Sequence, residues 1–237
     1  DEEAMVKAID PKPNEKILDA FCGYGAISKN CLLKESKADL WLNDESEVQI
    51  QRAKENLPNV PANHFIVGHF QDVSFPNECF DKVVIKMGLH EVQKKEQVKV
   101  AQKVFQILKP NGKLIIWDIM LNNENQTIFQ DIIRKKDELA GFEMLTKERY
   151  FFREDEFFET MKEAKFSGIK EVYTINYTFS SRKRLESELH NDTKLLDKLN
   201  EFIRNKFPEK LRKQLKYEDL KDDIQFNIIK KIYVMTK

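Results

Sequence analysis

Short apolar runs alternate with amphipathic stretches through the first two thirds of the chain. The run 80–87 is rich in β-branched residues, which predicts a strand buried on both faces. The stretch 92–108 carries Val98, Ala101 and Val104 at helical spacing and predicts a helix. On the same grounds strands are predicted at 16–21, 39–43, 64–67, 80–87 and 113–119, and helices at 26–34, 46–57 and 92–108.

The last third has a different pattern. Helices are predicted at 123–141 and 154–165, and strands at 169–179 and 226–235. Between these two strands lies a charged stretch, 182–216, in which leucines and isoleucines recur every three to four residues, as in an amphipathic helix. A helical insertion at this place is a candidate cap over a substrate.

Strands and helices that alternate in this way predict parallel strands joined by right-handed crossovers. The predicted fold is therefore an α/β protein with a doubly wound, mainly parallel seven-stranded sheet and a helical cap inserted between the last two strands. We expect the core domain to comprise 1–180 and 225–237 and the cap to comprise 181–224. Ligands of such sheets bind at the carboxyl ends of the strands.

Composition narrows the possible partners. The chain has 40 basic and 40 acidic residues, so its formal charge of zero argues against nucleic acid as the main partner. The stretch 182–216 nevertheless holds 11 Lys or Arg against six Asp or Glu, which leaves RNA contact open. Aromatic residues near 150–158 could line an acceptor pocket or simply pack the late helices onto the sheet.

Cysteine content and the chain start bear on location. Three widely spaced cysteines without a CxxC pair argue against a disulfide framework or a metal site, so we expect a reducing cytoplasm and no metal. No apolar run reaches the roughly 18 residues that span a bilayer. The sequence begins with Asp1-Glu2-Glu3, which is neither an initiator Met nor the start of a signal peptide, and whether residues precede it is left open.

The most informative segment is 19–25, with the sequence DAFCGYG. A strand that ends in Asp and enters a glycine turn brings backbone N–H groups close to a ligand, because a Cβ would block the approach. Dinucleotides and S-adenosylmethionine are both bound in this way. The dinucleotide pattern G-x-G-x-x-G needs a third glycine, and Ser28 stands in its place.

The segment 17–25 resembles the first motif of class I S-adenosylmethionine-dependent methyltransferases, and later segments are similar to further motifs of that family in the right order. Asp44 ends the second strand, 68–75 follows the third, 80–92 is similar to the fourth-strand motif of the small-molecule and quinone-biosynthesis branch, and 108–114 precedes the fifth. The resemblance covers about residues 10–120. It implies S-adenosylmethionine as cofactor and S-adenosylhomocysteine as product. The cofactor-binding residues implied are Asp19, Phe21, Gly23, Tyr24, Gly25, Asp44, Glu45, His69, Phe70, Gln71, Lys86 and Met87.

The chain departs from the family pattern at two of these positions. Phe21 replaces the first of three usual glycines, and His69 stands where an acidic residue usually accepts a bond from the adenine amino group. Gln71 or Asp72 could take that contact, and Phe70 can still offer its backbone N–H.

His90 follows the fourth strand, where the methyl acceptor is expected, so it is a candidate general base. The alternative is that His90 only packs against the cofactor or caps the next helix. No Asn/Asp-Pro-Pro-aromatic motif follows this strand, which argues against methylation of amino groups on nucleic-acid bases. A small-molecule acceptor is the leading prediction, with oligomeric state open. The alternatives are an RNA methyltransferase, a nicotinamide-dependent oxidoreductase and a non-catalytic S-adenosylmethionine-binding module.

Overall fold

A single mixed sheet with helices on both faces forms the centre of the protein, in a computed structural model that describes residues 1–237. The strands are β1 (Lys16–Ala20), β2 (Asp39–Asp44), β3 (Phe65–Val67), β4 (Phe80–Lys86), β5 (Leu108–Ile119), β6 (Ser167–Ser180), β7 (Glu218–Leu220) and β8 (Asp223–Thr236). The helices are α1 (Glu2–Ile9), α2 (Ala26–Lys34), α3 (Glu47–Asn56), α4 (Lys94–Ile107), α5 (Gln126–Leu139), α6 (Glu143–Glu148), α7 (Glu154–Glu163), α8 (Arg182–Ser187), α9 (Thr193–Lys206) and α10 (Glu209–Gln214).

The strand order is β3-β2-β1-β4-β5-β8-β6. The first five strands of this order, β1 to β5 in the chain, are mutually parallel. The predicted doubly wound sheet is therefore confirmed. β8 runs antiparallel between β5 and β6. The seven predicted strands are all present, and the short β7 is an additional strand that also pairs with β8. Its three residues are all exposed, so no alternation of buried and exposed positions marks it in the sequence.

The predicted helical stretch 182–216 is divided into three helices. His190 and Asn191 both have left-handed backbone angles, which end the first helical segment, and Asp192 then caps α9 through its carboxylate. Pro208 interrupts the stretch again before α10. Helices α1 and α6 are additions that the sequence pattern did not predict.

Three apolar clusters hold the layers together. One lies between the sheet and helices α4 and α7, and another between the sheet and helices α1, α2 and α3. The third joins α5 to α9 and α10 and to the start of β8, with Ile132, Leu199 and Ile203 fully buried. The helices between β6 and β8 are thus packed onto α5. No helix has the length and apolar character needed to cross a membrane.

Candidate functional site

The loop that joins β1 to α2 is shaped by one buried carboxylate and two glycines. Asp19 is only 4% exposed, and its Oδ2 accepts a hydrogen bond of 2.7 Å from the Ser28 hydroxyl. Burial raises the pKa of Asp19 to about 6, against the opposing effect of the Ser28 bond. Gly23 and Gly25 both have φ in the left-handed region, at 52° and 76°. Open space surrounds the position that a Cβ on Gly23 would take, so a ligand has room there.

Asp44 ties this loop to the end of β2. Its Oδ2 accepts a 2.8 Å bond from the Gly23 backbone N–H, and its Oδ1 accepts a 3.0 Å bond from Ser46 N–H. Tyr24 lies at the rim with 51% of its surface exposed. The structure therefore brings Asp19, Gly23, Tyr24, Gly25 and Asp44 together, as the motif order predicted.

Phe21 occupies its unusual place in this loop with φ of 60°. Its side chain packs on the backbone of Gly88, which follows β4. A Cβ built on Gly88 would lie 2.4 Å from Cβ of Phe21, so only glycine fits opposite this phenylalanine. The contact joins the loop after β1 to the loop after β4.

The expected adenine end of the site is formed by the segment after β3. His69 Nδ1 lies 2.6 Å from Glu45 Oε2, with both side chains mostly exposed, so these two predicted residues pair with each other at the rim. Phe70 is buried, with its ring centroid 5.7 Å from that of Phe21. The Gln71 side chain forms no hydrogen bond, although its backbone carbonyl does.

Lys103 of α4 binds the backbone of this segment, and the sequence analysis did not identify it as a site residue. Its Nζ donates to the carbonyl oxygens of Phe70 at 2.6 Å and Gln71 at 2.8 Å, and also to that of Val73. Burial lowers the pKa of Lys103. A lysine on an otherwise amphipathic helix gives no sequence signal of this role.

Asn43 was also missed. Its buried side-chain amide donates to the carbonyl oxygens of Ile66 at 3.1 Å and Gly68 at 2.9 Å, which fixes the segment after β3 against β2. Asn43 and Lys103 therefore position the backbone of the expected adenine end from two directions.

The end of β4 carries the predicted residues Lys86 and Met87. Lys86 Nζ lies 2.5 Å from Glu2 Oε1 of α1, and this bond lowers the pKa of Glu2. Met87 has φ of 56°, and its N–H donates 2.7 Å to the carbonyl of Trp117. Helix α1 thus closes over this edge of the sheet.

His90 follows on a 3-10 turn, Leu89–Glu91, and is buried. Its Nδ1 lies 2.6 Å from Oδ1 of Asp118, which is itself fully buried near the end of β5. The imidazole stacks on Phe151, with centroids 4.5 Å apart. Asp118 was missed in the sequence, although a lone carboxylate in the apolar run 114–121 was an available signal.

These residues suit a cationic ligand that carries hydroxyl groups. The carboxylates of Asp19 and Asp44 flank a glycine turn with open space at Gly23, so charge and shape both favour a sulfonium nucleoside. No cluster of three His, Cys, Asp or Glu side chains could hold a metal ion.

Comparison with known proteins agrees with this geometry. Residues 17–112 match the family model of a methyltransferase domain. The demethylmenaquinone methyltransferase of Clavibacter sepedonicus is 30% identical over 113 residues, which cover 48% of this chain and 44% of that protein. The chain spans about half the length of the curated relatives that it matches.

Solved structures show the same fold. A proposed methyltransferase of Bacillus halodurans superimposes with a TM-score of 0.84 at 17% identity, covering 100% of this chain and 98% of that one. Phosphoethanolamine N-methyltransferase 2 of Haemonchus contortus, solved with S-adenosyl-L-methionine, gives a TM-score of 0.59 at 15% identity and covers 100% and 52%.

Proposed function

Because this chain belongs to the class I S-adenosylmethionine-dependent methyltransferases, we propose that it transfers a methyl group to a small-molecule acceptor with His90 as the general base. One observation carries the proposal: the Phe21–Gly88 contact joins the cofactor loop to the segment that bears His90, two residues further on. Donor and base are therefore held at one edge of the sheet.

The bound cofactor supplies a methyl group already activated by a sulfonium centre. In this proposal Asp44 accepts hydrogen bonds from the ribose hydroxyls, and Asp19 provides negative charge near the sulfonium and ammonium groups. The Gly23–Gly25 turn lets the backbone approach. The backbone of Phe70 and Gln71 would contact the adenine ring of the cofactor. The remaining predicted residues, Phe21, Tyr24, Glu45, His69, Lys86 and Met87, form the walls and rim.

His90 is suited to take a proton from the acceptor. Asp118 accepts from Nδ1, which fixes the tautomer in which Nε2 carries the free lone pair. Phe151 stacks on the ring and holds its plane. Such a base contributes about 10²–10⁴-fold to a reaction rate, so methyl transfer without it would be slow and measurable.

The helices between β6 and β8 are the proposed substrate cap, and residues 1–180 with 225–237 the cofactor-binding core. The cap packs on α5, which follows β5, so it stands beside the edge that carries His90 and Asp118. A small-molecule acceptor is supported by the name of the Clavibacter relative, a demethylmenaquinone methyltransferase.

RNA as acceptor is less well supported. Of the basic residues in 182–216, five form ion pairs with carboxylates, which reduces the free positive charge of the cap: Arg182, Arg184, Arg204, Lys210 and Arg212. A cytoplasmic location belongs to the proposal too, since all three cysteines are free thiols.

The test uses the intact chain. Calorimetry should detect binding of S-adenosylhomocysteine, and tritium from labelled S-adenosylmethionine should pass into a metabolite extract and not into RNA. His90→Ala should lower transfer about 100-fold or more while cofactor affinity is kept. His190→Asn, which alters a histidine in the cap, is the matched control. Binding without transfer into either pool would favour a non-catalytic module, and absence of binding would contradict the proposal.

A further inference from the structure

Lys230 is a half-buried cation without a counterion at the edge of the sheet that carries the candidate site. It lies on β8 opposite Ile119 of β5 and Ile175 of β6. Its ammonium forms no hydrogen bond and no ion pair. The ammonium lies over the ring of Tyr177, whose centroid is 3.8 Å from Nζ. An aromatic face offsets part of the cost of burying a cation, but it has no oxygen or nitrogen lone pair to accept hydrogen bonds from the three N–H groups of the ammonium.

Trp117 adds a second unsatisfied donor at the same place. Its side chain is buried, and its Nε1–H has no acceptor. The ammonium groups of Lys86 and Lys230 lie 5.4 Å and 5.9 Å from the Trp117 ring. Buried donors are paired in most proteins, so an unpaired indole N–H beside an unpaired ammonium indicates a missing acceptor.

The cations near Lys230 have carboxylate partners, but Lys230 itself has none. Lys86 is neutralised by Glu2, and Arg184 is neutralised by Glu188. Burial lowers the pKa of Lys230 to about 8; the charge of Asp118 opposes this shift, and the charges of Arg184 and Lys86 contribute to it. No carboxylate of the chain is in contact with its ammonium.

We propose that Lys230 and the indole N–H of Trp117 bind an anionic group of the methyl acceptor, a carboxylate or a phosphate. The inference rests on the proposed function, because it assigns the chemistry of the substrate of that site. Lys230 pairs with Ile119, the neighbour of Asp118, and successive side chains of a strand alternate between faces, so Lys230 and the His90–Asp118 pair lie on opposite faces at the same edge of the sheet. An acceptor that reaches over this edge would place its anionic group at Lys230 and its reacting atom at His90. An anion would supply acceptors to both donors and the missing negative charge.

The closing experiment measures binding of small probes to the full chain saturated with S-adenosylhomocysteine. Benzoate and phenyl phosphate represent the two anionic groups, and benzamide is the neutral probe of similar shape. We expect one of the anions to bind at least 10-fold more tightly than benzamide. Lys230→Met keeps the aliphatic stem and should abolish this preference, and Lys230→Arg should retain part of it.

Lys213→Met, which removes an exposed and unpaired cation from α10, is the control and should keep the preference. Affinity for S-adenosylhomocysteine and the melting temperature of each variant are measured alongside, so that a folding defect is recognised. Equal affinity for charged and neutral probes, no affinity for any of them, or an unchanged preference in Lys230→Met would overturn the inference. Loss of S-adenosylhomocysteine binding by the unmodified chain would overturn the proposed function instead.

Discussion

His90 Nδ1 and Asp118 Oδ1 lie 2.6 Å apart between two neighbouring parallel strands, with both side chains buried. Asp118 also accepts from the backbone N–H of His90 at 3.3 Å and from that of Ile119 at 2.7 Å. The carboxylate is thus fixed by the backbone and in turn fixes the imidazole. The sequence separates the two residues by 28 positions, and only the pairing of β4 with β5 brings them together.

Asp118→Asn should lower methyl transfer by about 10²–10³-fold, because an amide can donate to Nδ1 and so favour the tautomer with a proton on Nε2. Labelled methyl transfer measures the rate, and calorimetry with S-adenosylhomocysteine should show affinity within about two-fold of the unmodified chain. Equal rates for both proteins would show that Asp118 does not act through the orientation of His90.

Asp44→Ala should weaken S-adenosylhomocysteine binding by about 10–100-fold, equivalent to about 1.4–3 kcal/mol. The change removes the proposed ribose acceptor and the bond that holds Gly23. Asp44→Asn is the matched variant, since its amide oxygen can keep the Gly23 bond while it loses the charge. If the alanine variant binds as well as the unmodified chain, Asp44 does not contact the ribose.

Lys103→Met should loosen the segment after β3, because three backbone carbonyls lose a charged donor. We expect a loss of about 1.5–3 kcal/mol in the free energy of unfolding and weaker cofactor binding. Lys99→Met, which removes an exposed lysine paired only with Glu96 on the same helix, is the control and should change neither. Hydrogen exchange of the amides around residues 69–73 measures the loosening directly.

The raised pKa of Asp19 predicts how the free energy of unfolding depends on pH. Burial raises its pKa from 3.8 to about 6, so the folded state binds the proton more tightly than the unfolded state. Ionised Asp19 therefore destabilises the free protein above pH 6, by about 3 kcal/mol, and this penalty disappears as the pH falls through 6 towards 4. Asp19→Asn should accordingly raise the free energy of unfolding at pH 7, measured by urea titration, and gain little at pH 4.

Binding of the cationic cofactor should lower the pKa of Asp19, which burial raises in the free protein. S-adenosylmethionine should favour ionised Asp19, so its affinity should fall as the pH drops below 6, and the asparagine variant should bind more weakly with little dependence on pH. A variant that is no more stable at pH 7 would contradict the account of Asp19 as a buried charge kept for ligand binding.

The sequence predicted the parts of the site that are local in the chain. The turn 19–25 and the placement of Asp44 follow from strands that end in polar residues, because those signals lie within a few positions of one another. Asp118, Asn43 and Lys103 act through partners that are distant in sequence, so periodicity carries no information about them. The ion pair between Glu2 and Lys86 depends on α1, a helix of only eight residues that the sequence analysis did not predict.

The packing of Phe21 on Gly88 constrains the order in which mutations can accumulate. A Cβ at 88 would lie 2.4 Å from the Cβ of Phe21, so alanine at 88 is barred while position 21 carries a side chain. Replacement of Phe21 by glycine has no such barrier and removes the obstacle. Glycine is therefore required at 88 for as long as position 21 carries a side chain, and two sites 67 residues apart are coupled in the substitutions that they can accept.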